Sequence, residues 1–371
     1  MIKPDILSLS SHSMRLLSRL LLLRPSCDEV SWLMMLESKA EVRGMSRLEF
    51  NDVVALASSN HVVVRGLEVF LGLMLEAGDD IRAEWTQTAL AAERARISLA
   101  LGFLSEVCTA FEGEQYDVVV IKSLDHWPDL GSDLDLYTNA HSEDVSKLMR
   151  KRFDAQIASR SWGDRLAGKW NFLIPGLPEA VEIHMGRLGQ TGEQVGMASR
   201  LAKRTRRVTI GDHAFPVPSV SDRLMISTLQ RMYRHFYFRL CDIVDTAGLA
   251  ELGEIDYMDL RSAACEADIW EGVATYLVII SDYVNKYSGR GLDLPQFVIS
   301  AARFRGDQVY FSKDFLRVPI MPQAAKLYGS QLAGLLRKRK LQNGARLSLL
   351  PWLATAAVVG QRITGSDKGI W

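Results

Sequence analysis

The sequence lacks three features that would each have indicated a particular class of protein. It has four cysteines in 371 residues, with no Cys-x-x-Cys pair and no close Cys/His spacing, which argues against a zinc finger or a disulfide-rich domain. Lys+Arg and Asp+Glu both number 44, so the zero net charge does not indicate a general nucleic-acid binder. We interpret the cysteines as reduced thiols and expect a cytoplasmic protein. They are Cys27, Cys108, Cys241 and Cys265.

Long apolar runs are also missing. The stretch Met14–Leu23 is interrupted by two arginines and is followed by Arg-Pro, where a signal peptide would have small residues. We expect an amphipathic helix that packs on the protein. The stretch Leu347–Gly360 is shorter than the roughly 20 residues that a bilayer requires and contains Pro351. A buried helix, an oligomer contact and a membrane-surface helix remain open there, but no membrane span is expected.

The hydrophobic pattern divides the chain into three predicted domains. Residues 1–114 have apolar residues at helical spacing, and one long helix is expected over Glu84–Phe111. Residues 115–218 contain short β-branched runs together with a helix and a hairpin. Residues 219–371 return to helical patterns. We therefore predict an α+β fold, in which a small mixed-sheet core is framed by helical N- and C-terminal regions.

Particular elements follow from local signals. Ser142 is expected to be the N-cap of a helix reaching Arg152, and Ser219 to open a helix that continues to about Arg234. Further helices are expected near 238–251, 257–287, 294–303 and 320–341. Strands are expected at Val118–Ile121, Asp133–Tyr137, Trp170–Ile174 and Ala180–His184, and as a hairpin at Arg207–Ile210 and Ala214–Val217.

The most informative stretch is Val118–Tyr137, which reads VVVIKSLDHWPDLGSDLDLY. Its second strand carries Asp133 and Asp135, which share one face because alternate residues of a strand point to the same side. Neighbouring carboxylates repel each other unless a cation lies between them. Mg²⁺ prefers oxygen ligands and often shares them with phosphates, so this pair predicts a site for Mg²⁺ (or Mn²⁺).

This stretch resembles the DNA polymerase β-like nucleotidyltransferase superfamily. The superfamily signature is a hydrophobic strand, a Gly-Gly or Gly-Ser turn, a spacer of about ten residues, and Asp-h-Asp/Glu-h. Here Lys122 and Ser123 occupy the turn, and Ser123 lies ten positions before Asp133. The similarity is to the bacterial "uncharacterised nucleotidyltransferase" family in particular, where Lys-Gly is common at the turn. Ser123 replaces that glycine, and the resemblance covers roughly residues 115–250.

A third carboxylate belongs to the same resemblance. Val181-Glu182-Ile183-His184 is similar to the hydrophobic-Asp-hydrophobic-His segment of that family. The resemblance implies that Asp133, Asp135 and Glu182 bind the metal and catalyse transfer of an NMP from an NTP, such as ATP, to an acceptor hydroxyl. Pyrophosphate would be released, and Glu182 would activate the acceptor.

Six further residues are candidates for binding the NTP. Ser123 and the backbone N–H groups of its turn would cradle phosphates, and Lys169 precedes a strand next to the site. The Lys122 side chain could pair with phosphate or with a carboxylate. The alternatives for the others are a simple turn at Gly131-Ser132, a solvated charge at Lys169 and a structural histidine at His184. The full set of candidates is Lys122, Ser123, Gly131, Ser132, Lys169 and His184.

The sequence indicates less about the acceptor of the NMP group. Zero net charge favours a small molecule or a peptide, while a toxin-like transfer to tRNA and a non-catalytic nucleotide-binding scaffold are the alternatives; an oligomer is possible. Two basic segments could contact phosphates or could be structural. One is the basic cluster Arg200, Lys203, Arg204, Arg206 and Arg207; the other interleaves Arg231, Arg234, His235 and Arg239 with Tyr233, Phe236, Tyr237 and Phe238.

Overall fold

The computed structural model describes residues 4–23, 29–189, 191–312, 314–353 and 356. Helices make up the N-terminal region, as predicted, and Met14, Leu16 and Leu17 of the first helix are buried. The expected amphipathic helix therefore packs on the protein. The five helices are α1 Pro4–Leu22, α2 Glu29–Gly44, α3 Arg47–Ser59, α4 Val63–Ala77 and α5 Asp80–Gly113.

A five-stranded mixed sheet follows, with strand order β1-β2-β5-β4-β3. Its strands are β1 Val118–Val120, β2 Asp133–Thr138, β3 Gln156–Ile157, β4 Lys169–Leu173 and β5 Ala180–Met185. The pair β2–β5 is parallel and the other pairs are antiparallel. Together with the helical regions, this sheet confirms the predicted α+β class. The division into three domains stays a prediction.

Two helices lie in the connections of this sheet. They are α6 Ser142–Phe153, between β2 and β3, and α7 Trp162–Ala167, between β3 and β4. The prediction that Ser142 is the N-cap of α6 is wrong. Ser142 already belongs to the helix, and His141 takes the cap position with extended backbone and no capping hydrogen bond from its side chain.

The predicted hairpin is present, but it forms a separate two-stranded sheet after α8 Val195–Lys203. Its strands are β6 Arg206–Ile210 and β7 His213–Val217. A third, three-stranded sheet was not expected and has the order β8-β10-β9. Its strands, β8 Tyr237–Phe238, β9 Tyr310–Ser312 and β10 Phe315–Arg317, contain two or three residues each, too few for a periodic signal.

The remaining C-terminal part is mainly helical. Its helices are α9 Val220–Thr228, α10 Leu240–Glu251, α11 Tyr257–Glu266, α12 Trp270–Ser288, α13 Gln296–Ile299, α14 Ala325–Arg337 and α15 Leu341–Ser348. Ser219 caps α9 as predicted, but the segment Leu229–Arg234 is a wider, π-type helix. The prediction of one helix over 257–287 is wrong, because Asp268 has a left-handed φ of 59° that ends helical continuation between α11 and α12.

Two expectations lie partly outside the described residues. Cys27 lies outside the described residues. Cys108, Cys241 and Cys265 are free thiols. The segment Leu347–Gly360 is described only to Leu353 and at Ala356. A membrane-crossing helix, which needs sufficient length and apolar character, is not found in the part of the chain that the structure describes.

Buried ion pairs connect the loop between β1 and β2 to the helical regions on either side. Asp129 in this loop accepts a hydrogen bond of 2.6 Å from the backbone N–H of Val64, at the start of α4. Arg65 donates to Asp129 at 2.7 Å and to Asp245 of α10 at 2.6 Å. Helices α4 and α10 thus hold the same loop through one guanidinium group.

Removing the loop carboxylate should therefore be costly. We expect Asp129→Ala to lower the free energy of unfolding by about 3–5 kcal/mol, because it breaks an ion pair whose carboxylate is fully buried and leaves the partly buried Arg65 guanidinium without one partner. Urea unfolding followed by circular dichroism measures this change. Arg94→Ala is the control, since it removes an exposed ion pair with Glu68 that contributes about 0–1 kcal/mol. Equal losses in the two variants would contradict the anchoring role of Asp129.

Candidate active site

Two of the three carboxylates of the candidate site lie directly opposite each other on neighbouring parallel strands. Asp135 of β2 and Glu182 of β5 are register partners, so their side chains project from the same face of the sheet. An oxygen of each carboxylate and a nitrogen of His184 lie within 4.8 Å of one another. Asp133 precedes Asp135 by two residues on β2 and is more exposed. The structure thus brings together the three predicted carboxylates at one end of the strand pair.

Two lysines lie against these carboxylates. The Lys122 ammonium contacts the Asp135 carboxylate and is 3.6 Å from Glu182 Oε1. The Lys169 ammonium is 2.7 Å from Glu182 Oε2 and 3.2 Å from Asp164. Because buried charges are costly unless paired, the lysines are what allows the carboxylates to be buried. Lys122 and Lys169 therefore lie at the predicted site, but as counter-charges of its acids.

The two acids nevertheless differ in their affinity for protons. Burial raises the pKa of Asp135 to about 8, and the neighbouring Glu182 charge adds to this effect despite Lys122. Burial acts in the same direction on Glu182, but Lys122, the hydrogen bond from His184 and Lys169 together hold its pKa well below the ordinary value. Glu182 thus carries the more stable negative charge, while the buried Asp135 holds a proton more tightly even though Lys122 contacts it.

His184 completes the buried part of the site. Its Nε2 lies 3.0 Å from Glu182 Oε1, and burial lowers its pKa to about 4. The ring is therefore neutral at physiological pH, and we interpret its contact as a hydrogen bond that orients Glu182. Burial and the charge of Glu182 also raise the pKa of Asp133.

The donor atoms fit a hard divalent cation. All three acids offer carboxylate oxygens, the ligand type that Mg²⁺ prefers. Burial raises the pKa of Asp135 although Lys122 contacts it, and a divalent cation would stabilise the charged form of this carboxylate. Such an ion would meet the Lys122 ammonium at Asp135, so the ammonium would have to give up this contact.

The turn that carries Lys122 is strained. Lys122 has φ 64° and ψ −52°, and the N–H of Ser123 donates a 2.7 Å hydrogen bond to the carbonyl of Ile121. This is a γ-turn of the rare type, which non-glycine residues seldom adopt. The turn directs the Lys122 side chain toward the acids.

Ser123 explains the ten-residue spacing in physical terms. Its hydroxyl accepts a 2.7 Å hydrogen bond from the N–H of Asp135 and donates one of 3.2 Å to the carbonyl of Asp133. Both hydrogen bonds are to the backbone of β2, so the side chain holds the start of that strand against the turn. A phosphate contact of Ser123 stays a prediction.

The loop before β2 is held from the helical side. Arg96 of α5 donates to the carbonyls of Leu130 and Gly131 at 3.1 and 3.3 Å. A Cβ atom at Gly131 would come within 3.1 Å of the His61 ring, so glycine permits this close approach. Ser132, next in the chain, is exposed at the edge of the cavity.

The acids face a cavity of about 190 Å³. Sequence reasoning missed His61, His126 and Gln230 of its lining. His126 lies within Val118–Tyr137 but at no position of the motif, and the other two come from segments without a motif. The basic segment that includes Arg231 and Arg239 also lines the cavity. Its lining residues, with the preceding Gln230, are Gln230, Arg231, Arg234, His235, Tyr237 and Arg239.

The arginines of that segment are not equivalent. Arg231 is fully buried and lies 2.7 Å from Asp242, so its charge is already balanced within the protein. Arg234 and Arg239 are less buried and line the cavity with the ring of Tyr237. This segment is therefore structural at Arg231, while its other two arginines remain available to an anion in the cavity.

The basic cluster lies elsewhere and is largely paired. Arg200 is 2.8 Å from Asp222, and Arg204 is 2.7 Å from Asp259. Arg207 pairs with Glu112 of α5. The cluster contributes no residue to the lining of the cavity.

Comparisons with known proteins give little beyond this geometry. No protein-family model matches the sequence, and no curated protein does. Among solved structures, the chain is similar to an antigenic nucleotidyltransferase-like protein from Paracoccidioides brasiliensis, with 13% sequence identity and a TM-score of 0.30. The similarity covers 44% of this chain and 85% of that one.

The raised pKa of Asp135 gives a testable pH dependence. An acid whose pKa is higher in the folded than in the unfolded chain holds its proton more tightly when folded, so its contribution to stability falls as pH rises. The fall should run from the unfolded value near 4 to about 8, by up to about 1.4 kcal/mol per pH unit. We expect Asp135→Asn to remove this slope in urea unfolding between pH 5 and pH 8. Asp212→Asn, at the exposed hairpin turn, should keep it, and an unchanged slope in Asp135→Asn would contradict the assignment.

Proposed function

We propose that this protein is a metal-dependent nucleotidyltransferase that moves an NMP from an NTP to an acceptor hydroxyl, with release of pyrophosphate. The observation that carries the proposal is the register pairing of Asp135 with Glu182, with Asp133 beside them, on a face that opens to a cavity. Arg234 and Arg239 line the same cavity, where they would supply positive charge to a triphosphate.

Asp133, Asp135 and Glu182 would hold Mg²⁺ (or Mn²⁺), which when bound would neutralise charge on the phosphate oxygens during transfer. Glu182 is ionised at neutral pH and is kept in position by Lys169 and His184. It is therefore the group best placed to hold the ion beside the acceptor hydroxyl, which would lower the pKa of that hydroxyl. Asp135 would give up its proton when cation and substrate bind.

The remaining lining suggests how an NTP such as ATP would be bound. The Lys122 ammonium, on leaving Asp135, would find a new counter-charge in the phosphates. Arg234 and Arg239, which line the cavity, would contact the same phosphates, and the Tyr237 ring offers a surface on which a base can stack. Gly131 and Ser132 lie where the loop before β2 reaches the cavity.

The carboxylates provide the direct test. We expect Asp133→Ala and Asp135→Ala each to reduce transfer by about 10²–10³-fold or more, because each removes charge that stabilises the reacting phosphate. The measurement is incorporation of label from α-phosphate-labelled NTPs, in the presence of Mg²⁺ and fractionated cell extract. The labelled product would identify nucleotide and acceptor together.

Asp212→Ala is the matched control, since it removes an exposed aspartate away from the cavity. Circular dichroism of all variants would verify that the fold is retained. Transfer at the wild-type rate in either Asp133→Ala or Asp135→Ala would overturn the proposal.

One observation favours a second candidate, a non-catalytic nucleotide-binding scaffold. Lys122 contacts Asp135 at the position where a cation would bind, as expected of a site that has exchanged its metal for an internal ammonium group. NTP binding without any labelled product over many acceptors would support the scaffold. Labelled product that disappears in Asp135→Ala would exclude it.

For the acceptor we favour a small molecule or a peptide over tRNA. The pairing of Arg200, Arg204 and Arg207 with acidic residues leaves less basic charge for RNA phosphates. We expect tRNA binding to be weak, with a slope of log K against log salt shallower than about −2, which corresponds to few phosphate contacts. Titration of fluorescent tRNA at several salt concentrations measures this slope. Tight binding with a slope of about −4 or steeper would favour tRNA instead.

A further inference from the structure

A second group of potential ligands lies beside the same cavity. His61 lies between α3 and α4, His126 ends the short 3₁₀ turn Ser123–His126, and Cys241 is the second residue of α10. One ligand atom from each side chain lies within 4.8 Å of the other two. All three are buried, and the two histidines also line the cavity.

We propose that His61, His126 and Cys241 form a binding site for a transition-metal ion, with zinc the best match. Sulfur and imidazole nitrogen are the ligands typical of zinc, whereas the neighbouring carboxylates suit a harder ion. Cys241 Sγ lies 3.7 Å from His126 Nε2. In a tetrahedral zinc site with bonds of about 2.3 and 2.0 Å, these two atoms would be roughly 3.6 Å apart.

The surroundings of His126 support the same assignment. Its Nδ1 lies 2.5 Å from a carboxylate oxygen of Asp245, which orients the ring and leaves Nε2 directed toward Cys241. Zinc-binding histidines commonly use their second nitrogen in this way. Asp245 is itself held at 2.6 Å by Arg65, so the orienting group is fixed as well.

Two of the three ligands would have to lose a proton to bind a metal. Burial and the Arg239 guanidinium keep the pKa of His61 far below its ordinary value, so the ring is neutral and able to bind a metal. Burial alone would lower the pKa of His126, but Cys241 and Asp245 raise it well above the ordinary value. Burial raises the pKa of the Cys241 thiol. A bound metal would therefore release protons from His126 and Cys241, as metal binding ordinarily does.

Three protein ligands leave one tetrahedral position, which a water or a group of a molecule in the cavity could take. The three ligands also come from the N-terminal helices, the loop between β1 and β2, and the C-terminal helices. A bound ion would thus link these three parts at the wall of the cavity. The inference does not depend on the proposed transferase activity, since it concerns other residues and another kind of ion.

Metal content is the first test. We expect the purified full-length protein, after exposure to zinc and dialysis, to retain about one equivalent of zinc by mass spectrometry. Cys241→Ser and His61→Ala should each retain less than about one tenth of that amount. Cys108→Ser is the matched control, since it alters another buried cysteine away from this cluster, and it should retain zinc. Glu182→Gln should also retain it, which separates this site from the carboxylates.

Cobalt gives a second readout that reports the ligands directly. The Co²⁺-loaded protein should show a thiolate-to-cobalt charge-transfer absorption, which Cys241→Ser loses and Cys108→Ser keeps. Asp245→Asn, which retains the three ligands, should weaken zinc affinity by about 10–100-fold. If variants that lack a ligand fail to fold, the zinc affinity of Asp245→Asn still tests the proposal.

Absence of stoichiometric zinc from the wild-type protein would overturn the proposal, as would zinc retained in both Cys241→Ser and His61→Ala. Transfer activity is not part of either readout. A protein without transferase activity could still bind zinc here, and an active transferase could lack it, so the two proposals fail separately.

Discussion

The arrangement of the site depends on two buried carboxylates that lie in register on neighbouring strands. Asp135 and Glu182 repel each other where water cannot screen them, so the fold must place positive charge or hydrogen-bond donors around both. Lys122 approaches from the turn after β1, Lys169 from β4, and His184 from the strand of Glu182 itself. The strain at Lys122 follows from this demand, because the backbone conformation there directs its ammonium group toward the acids.

The helical regions hold this arrangement in place. The loop between β1 and β2 has little regular structure, yet Asp129 and Asp125 in it are tied by Arg65 and Arg223 to helices on both sides. Arg96 holds the same loop from α5. A small sheet with short strands would define the positions of its acids poorly by itself. Charged hydrogen bonds to the surrounding helices supply the missing rigidity.

The sequence predicted the features that depend on near neighbours in the chain. Alternation along one strand placed Asp133 and Asp135 together, and the ten-residue spacing from Ser123 is explained by a hydroxyl that bonds to the backbone of the same strand. The register between Asp135 and Glu182 could not be predicted, because parallel pairing is set by the connecting elements and not by either strand. The role of Lys169 as a counter-charge was missed for the same reason, whereas pairing with a carboxylate was one of the two roles expected of Lys122. The break at Asp268 depends on one residue in a left-handed conformation, and His61, His126 and Cys241 meet only through tertiary packing.

The contact between Lys122 and Asp135 has a consequence for selectivity. A cation that entered alone would have to separate this pair and leave a buried ammonium group without a counter-charge. A cation that arrives with a polyphosphate brings an anion to which the ammonium can transfer, so the cost of separating the pair is largely recovered. A site built in this way would respond weakly to free magnesium and strongly to the magnesium–nucleotide complex. The lysine would then couple recognition of the metal to recognition of the phosphate chain.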